Sequence, residues 1–188
     1  MTSIDKTAWI DQGFKILKAA GAAGLTIENL TGHLKKTKGS FYHHFKNRDD
    51  YSRQLLSAWE KKQTLDIIQV SQQEHDFDRI NETLMALSEN TMDPEVEVAV
   101  RAWALRDPLA REFQARIDAL RVSFLNEMFS LLTRDARKAA LFSLIRYCFY
   151  IGSHQIIPAM DDTTYKHTLT ALMTLFINDA QKKTAKKE

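Results

Sequence analysis

Between Thr31 and Asn47 the chain reads TGHLKKTKGSFYHHFKN, with four lysines, three histidines, three aromatic residues and no acid. Metal ligation, acid–base catalysis and nucleic-acid contact each use residues of these types. His43 and His44 are adjacent, so on a helix their side chains point roughly 100° apart and cannot easily grip one ion. Helical metal pairs are spaced three or four residues apart, and no cysteine or carboxylate lies in the stretch. A histidine base would want an orienting carboxylate and a nucleophile nearby, and the local sequence supplies neither. No metal, no cofactor and no catalytic residue are expected, and the chain is not read as an enzyme.

Contact with double-stranded DNA accounts for the composition as a whole. Lys36, Lys38 and Lys46 can neutralise phosphates, and Thr26 and Tyr42 can offer hydroxyl donors to them. Thr26 and Thr37 sit where helix N-termini are expected, and those termini attract phosphate. A carboxylate facing the DNA backbone would repel it, which explains the lack of acids. The simpler alternative makes Phe41, Phe45 and also Tyr42 core residues and the lysines a solvated surface.

The elements that would position these groups are helices. Trp9, Ile10, Phe14, Leu17 and Gly21 share a stripe, which predicts a first helix over 5–20, ended by Gly21 and Gly24. Thr26 is an expected N-cap for a short helix carrying Ile27, Leu30 and Leu34. A second short helix is expected over 38–44, with Phe41 and Phe45 on one side. Asn47 then reads as the N-cap of a long helix, with Asp49 and Asp50 in its first turn. Apolar residues at 27, 30, 34, 41 and 45 would knit the first three helices into a helix-turn-helix unit. That leaves Lys38, Ser40, Tyr42, His43 and His44 on the outer arc of the second short helix, with Gly39 also counted among the expected DNA contacts.

Five more helices are expected, near 78–88, 95–105, 108–132, 136–157 and 163–180. Asp93-Pro94 and Asp107-Pro108 each read as an N-cap followed by proline at the first helical position. The fold class is all-α with nine helices. In the segment ALFSLIRYCFYIGSHQII apolar side chains surround the helix, and Tyr165, Leu169, Leu172, Met173 and Phe176 stripe the last one. This excess apolar surface predicts a homodimer through the last two helices, the alternative being a thick monomer core.

The bulk properties set few further limits. Residues 1–50 hold eight Lys/Arg against five Asp/Glu, a basic block on an otherwise mildly acidic body, while the whole chain carries a formal charge of only +2. The single Cys148 excludes an internal disulfide. The first residues lack the layout of a signal peptide, and the longest apolar run, 139–151, is interrupted by Arg146 and is too short to span a bilayer. A soluble cytoplasmic protein without membrane contact is expected.

The run GLTIENLTGHLKKTKGSFYHHFKNRDDY closely resembles the DNA-binding segment of the tetracycline-repressor (TetR) family of bacterial transcriptional regulators. The matching positions are Gly24, Leu25 and Thr26, then Thr37, Lys38, Gly39, Ser40, Phe41, Tyr42, Phe45 and Lys46. A second run, EVEVAVRAWALRDPLAREFQARIDALRVSFL, is similar to the effector-domain segment of one subset of that family. The lysine-rich composition of 182–188 predicts a basic, disordered tail, and the resemblance implies a helix-turn-helix DNA-binding domain over 1–46 and an effector-binding and dimerisation domain over 47–181. It also implies a homodimeric repressor on a pseudo-palindromic operator, released by an unknown small-molecule effector. Trp103, Tyr147 and His154, large or polar groups in apolar helices, are the candidates for lining its pocket. The alternatives are an all-α enzyme whose resemblance is incidental, and a DNA-binding dimer without an effector. This chain departs from the family where Lys35 and Lys36 replace a glycine and a small apolar residue in the turn, and where Thr31 replaces an alanine. A lysine forced into a left-handed conformation would cost on the order of 1 kcal/mol, so a less stable or differently shaped turn is expected.

Overall fold

The computed structural model describes residues 5–182. Among the described residues there are nine helices, one short 3-10 turn (Ala22–Gly24) and no strand. The helices are α1 (Lys6–Ala20), α2 (Ile27–Leu34), α3 (Lys38–His44), α4 (residues 48–71), α5 (Phe77–Thr91), α6 (Pro94–Ala104), α7 (Pro108–Leu132), α8 (Ala136–Gln155) and α9 (Asp162–Gln181). In α4 an α-helical start, Arg48–Glu60, passes through a π-helical turn, Lys61–Leu65, before the final Asp66–Ser71. The basic tail expected over 182–188 lies outside the described residues from position 183 onward.

The helix boundaries follow from capping chemistry. Each helix start leaves amide N–H groups without intrahelical partners, and short polar side chains accept from them. Asn47 Oδ1 accepts from the Asp50 amide at 2.8 Å, Asp93 Oδ1 from Val96 at 3.2 Å and Asp107 Oδ1 from Ala110 at 3.0 Å. Pro94 and Pro108 follow the last two caps, as expected from the sequence. Gly21 ends α1 at a φ of 64°, a conformation that side-chain-bearing residues rarely adopt, and its N–H reaches the Leu17 carbonyl at 2.9 Å.

The chain divides into two compact units. One comprises the residues through Asp66 together with Thr91–Ile117, and the other comprises Ile67–Asn90 and the residues from Asp118 onward. The expected functional boundary at 46/47 falls inside the first unit. Trp9, Leu30, Phe41, Phe45, Tyr51 and Trp59 fill the core of the first unit with Val100 and Ile117. The second unit has its own core around Phe77, Phe129, Phe142 and Phe176, in which the rings of Phe142 and Phe176 stack at 4.5 Å.

Candidate nucleic-acid interface

The interface candidates lie on α2, α3, their connection and the residues just before α2 and just after α3, so the local geometry starts with α2. Thr26 is extended, and its Oγ1 accepts from the Asn29 amide at 3.1 Å. That bond uses an acceptor lone pair and leaves the hydroxyl hydrogen able to donate elsewhere. At the other end Lys35 adopts φ 52° and ψ 45°, the left-handed conformation that glycine takes most readily. Its N–H reaches the Gly32 carbonyl at 3.2 Å, and the Lys36 N–H reaches Thr31 at 2.9 Å. This pair of bonds is the Schellman closure, completed with lysine where glycine is usual. The turn therefore keeps its shape and carries the strain.

The apolar contact that often accompanies such a closure would join positions 31 and 36, here Thr31 and Lys36. Thr31 is buried, and its hydroxyl donates back to the Ile27 carbonyl at 2.7 Å, with Glu28 O at 3.0 Å. A threonine is thus accommodated in the core without an unmet polar group, at the cost of slight competition with the helix ladder.

Thr37 starts α3 in the same way as Thr26 starts α2, its Oγ1 accepting from the Ser40 amide at 3.2 Å. The helix then divides by direction. Phe41 is fully buried, with its ring 5.6 Å from both Trp9 and Tyr51, and Phe45 lies 5.1 Å from Phe41. Thr37, Lys38, Gly39, Tyr42, His43 and Lys46 are exposed, Tyr42 to 54%. Thr26, Lys36, Ser40 and His44 are half-buried. The His44 ring lies 6.4 Å from Trp9 and 5.1 Å from His43. A Cβ added to Gly39 would meet nothing nearer than Thr37 Oγ1 at 3.7 Å, so the first turn of α3 is bare for approach without being crowded from within.

Three contributors were not legible in the acid-free stretch. Glu28, on α2, forms an exposed ion pair with Lys38. The Lys38 ammonium holds the Glu28 carboxyl below its usual range and is itself held above the usual lysine range. The pairing joins residues ten positions apart through the angle between two helices, and no local spacing signals it. Arg48 donates from Nε to the Leu25 carbonyl at 2.9 Å and so ties the start of α4 to the loop before α2. The Lys6 ammonium lies 5.4 Å from the centre of the Phe45 ring.

The pocket candidates divide between the two units. Trp103 belongs to the core of the first. Tyr147 and His154 lie on α8 in the second, where the Tyr147 hydroxyl donates to Asp118 Oδ1 at 2.6 Å. Tyr150 connects them: its ring stacks 6.2 Å from Tyr147 and meets His154 edge-on at 5.1 Å, and His154 stacks on Tyr165 at 5.6 Å. None of the three lines the cleft of about 270 Å³ in the first unit, where Lys15, Lys18 and Lys62 gather with Asp11 and Asp93 beside Trp59. Among the described residues no group of three or more His, Cys, Asp or Glu side chains could hold a metal ion, and no helix is long and apolar enough to cross a membrane. No protein-family model, curated protein or solved structure matches the chain.

Proposed function

We propose that the chain is a DNA-binding transcriptional regulator of the TetR type, a repressor that binds a pseudo-palindromic operator as a homodimer and is released by a small molecule. The observation that carries this reading is the paired short helices α2 and α3. Each starts on a threonine cap, they are joined by a closed turn, and α3 buries Phe41 while presenting Lys38, Tyr42 and His43 outward. In a helix-turn-helix protein the second helix enters the major groove with its first residues nearest the bases. Lys38, Gly39 and Ser40 would then lie closest to the DNA, with Tyr42 and His43 following along the groove. Lys36 and Lys46 flank the helix and would take phosphates on either side.

In the free protein Lys38 is engaged by Glu28. Phosphate would compete for that ammonium, so binding exchanges one ion pair for another and the acid acts as a placeholder that keeps the lysine near the groove-facing surface. The dimer would form through α8 and α9, where Leu141, Leu144 and Leu175 are exposed. Release by an effector requires that the ligand favour a state in which the two recognition helices no longer match their half-sites.

The test is a mobility shift of duplex DNA from the region upstream of the protein's own gene, titrated with salt. Binding that weakens steeply with salt is expected. Lys46→Ala removes two phosphate contacts per dimer, so the log–log salt slope should fall in magnitude by about 2, at about 0.9 per phosphate. Salt-independent binding, or none to any duplex tried, would overturn the reading.

A further inference from the structure

The inner side of α8 carries a charge that has no ion-pair partner among the described residues. Arg146 is only 6% exposed, yet it projects from the buried side of the helix between Phe142 and Tyr150. Its Nη2 reaches the thioether of Met85 at 3.4 Å, a weak acceptor, and its Nε is buried with no hydrogen-bond partner among the described residues. Nε and Nη2 point the same way and together form the side-on fork with which a guanidinium takes a carboxylate in two parallel bonds. One helical turn from Met85 along α5, the side-chain oxygen of Asn81 is likewise buried without a donor. Removing a charge from water without pairing it disfavours the folded chain, and a methionine of similar length would pack there at lower cost.

The surroundings say what the missing partner is like. Tyr150 lies one turn along α8 from Arg146, and the Arg121 guanidinium sits 5.7 Å from the centre of its ring. From there Tyr150 meets His154 edge-on, and His154 and Phe149 each stack on Tyr165. Aromatic neighbours suit an apolar body, and a buried cationic fork suits a monoanionic planar head.

We infer that the second unit binds a small apolar carboxylic acid whose carboxylate is held side-on by Nε and Nη2 of Arg146. Asn81 then accepts from a hydroxyl or N–H of the ligand where one is present. That this acid acts as the effector rests on the DNA-binding reading, whereas the site itself does not.

The test uses thermal melting of the full chain with benzoate and decanoate against their neutral counterparts, benzamide and decanol, and against inorganic phosphate. At least one of the two carboxylates raises the melting temperature by several degrees while its neutral counterpart and phosphate do not. Arg146→Met abolishes that rise and, without ligand, melts at or above the wild type. Arg146→Lys keeps the charge but loses the fork, so its shift shrinks severalfold. The proposal is overturned if neither carboxylate stabilises the wild type more than its neutral counterpart, or if phosphate alone does as well. It is also overturned if Arg146→Met retains the rise, or if the ligand-free variant melts clearly below the wild type, which would make the arginine a structural group. No DNA is present in these melts, so failure here and failure of the DNA-binding reading are separate results.

Discussion

Lys35 shows how one residue can carry opposite consequences for stability and binding. Its left-handed backbone costs on the order of 1 kcal/mol relative to glycine, yet the Schellman bonds on either side of it are intact. Lys35→Gly should therefore raise stability by about 1 kcal/mol, seen as a higher urea midpoint at unchanged slope. The double variant Lys35→Gly, Lys36→Val should add a little more through contact between positions 31 and 36. On the proposed DNA-binding reading, the same double variant should bind duplex DNA with a shallower salt slope, because two cations beside α3 are gone. An unchanged slope would mean that the two lysines add nothing to phosphate contact and that the strained turn has another origin. The ion pair beside them has a defined pH range. Because the carboxyl of Glu28 is depressed in the folded chain, the pairing is complete above the ordinary carboxylate range and is lost as pH falls through the lowered value. Both partners are exposed, so the effect bears on how Lys38 is presented more than on stability.

Among the elements, the crossing of α1 and α4 decides whether α3 has anything to stand on. Tyr51 on α4 is buried, which pushes its phenol well above the usual range, and its hydroxyl donates to the Trp9 carbonyl at 2.9 Å. Gly13 makes room for that hydroxyl: an added Cβ would lie 2.0 Å from Tyr51 Oη and 3.0 Å from Leu55 Cδ1. Gly13→Ala is expected to cost about 1–3 kcal/mol by overpacking, measured by urea unfolding. Adding Tyr51→Phe to that variant removes the atom in the way. The double variant should then lose less than the sum of the two single losses, the signature of residues in contact. Additive losses would place the strain elsewhere. Since Trp9 also packs edge-on against Phe41, slackening of this crossing should reach α3 and, on the proposed DNA-binding reading, weaken binding to duplex DNA.

For the molecule as a whole, the two sides of α8 point to different tasks. Ala139, Phe142, Ser143, Arg146 and Tyr147 are buried on one side, while Leu141, Leu144, Ile145 and Cys148 are exposed on the other. An exposed leucine is common, but a run of apolar side chains along one helix, with Leu175 exposed on α9, marks a surface suited to a second copy. Leu144→Glu should halve the solution mass by light scattering and abolish the high-affinity DNA complex, leaving each unit folded. A wild type that is already monomeric at micromolar concentration would sink the dimer and, with it, the two-half-site operator.

Much of this was readable from the residues alone where the physics is local. Helix starts depend on a polar side chain three residues from an amide, so Thr26, Thr37, Asn47 and Asp93 declared themselves, and the nine helices followed from apolar spacing. The inward direction of Phe41 and Phe45 was legible for the same reason. What stayed hidden were interactions that need two elements to meet: Glu28 with Lys38, Arg48 with the Leu25 carbonyl, the hydroxyl of Tyr51 over Gly13. The same holds for Arg146, which in the sequence merely interrupts an apolar run. Spacing along one chain determines which side of a helix a residue occupies. Only the packed structure decides what lies opposite, and among the described residues Arg146 meets a methionine thioether and no ion-pair partner.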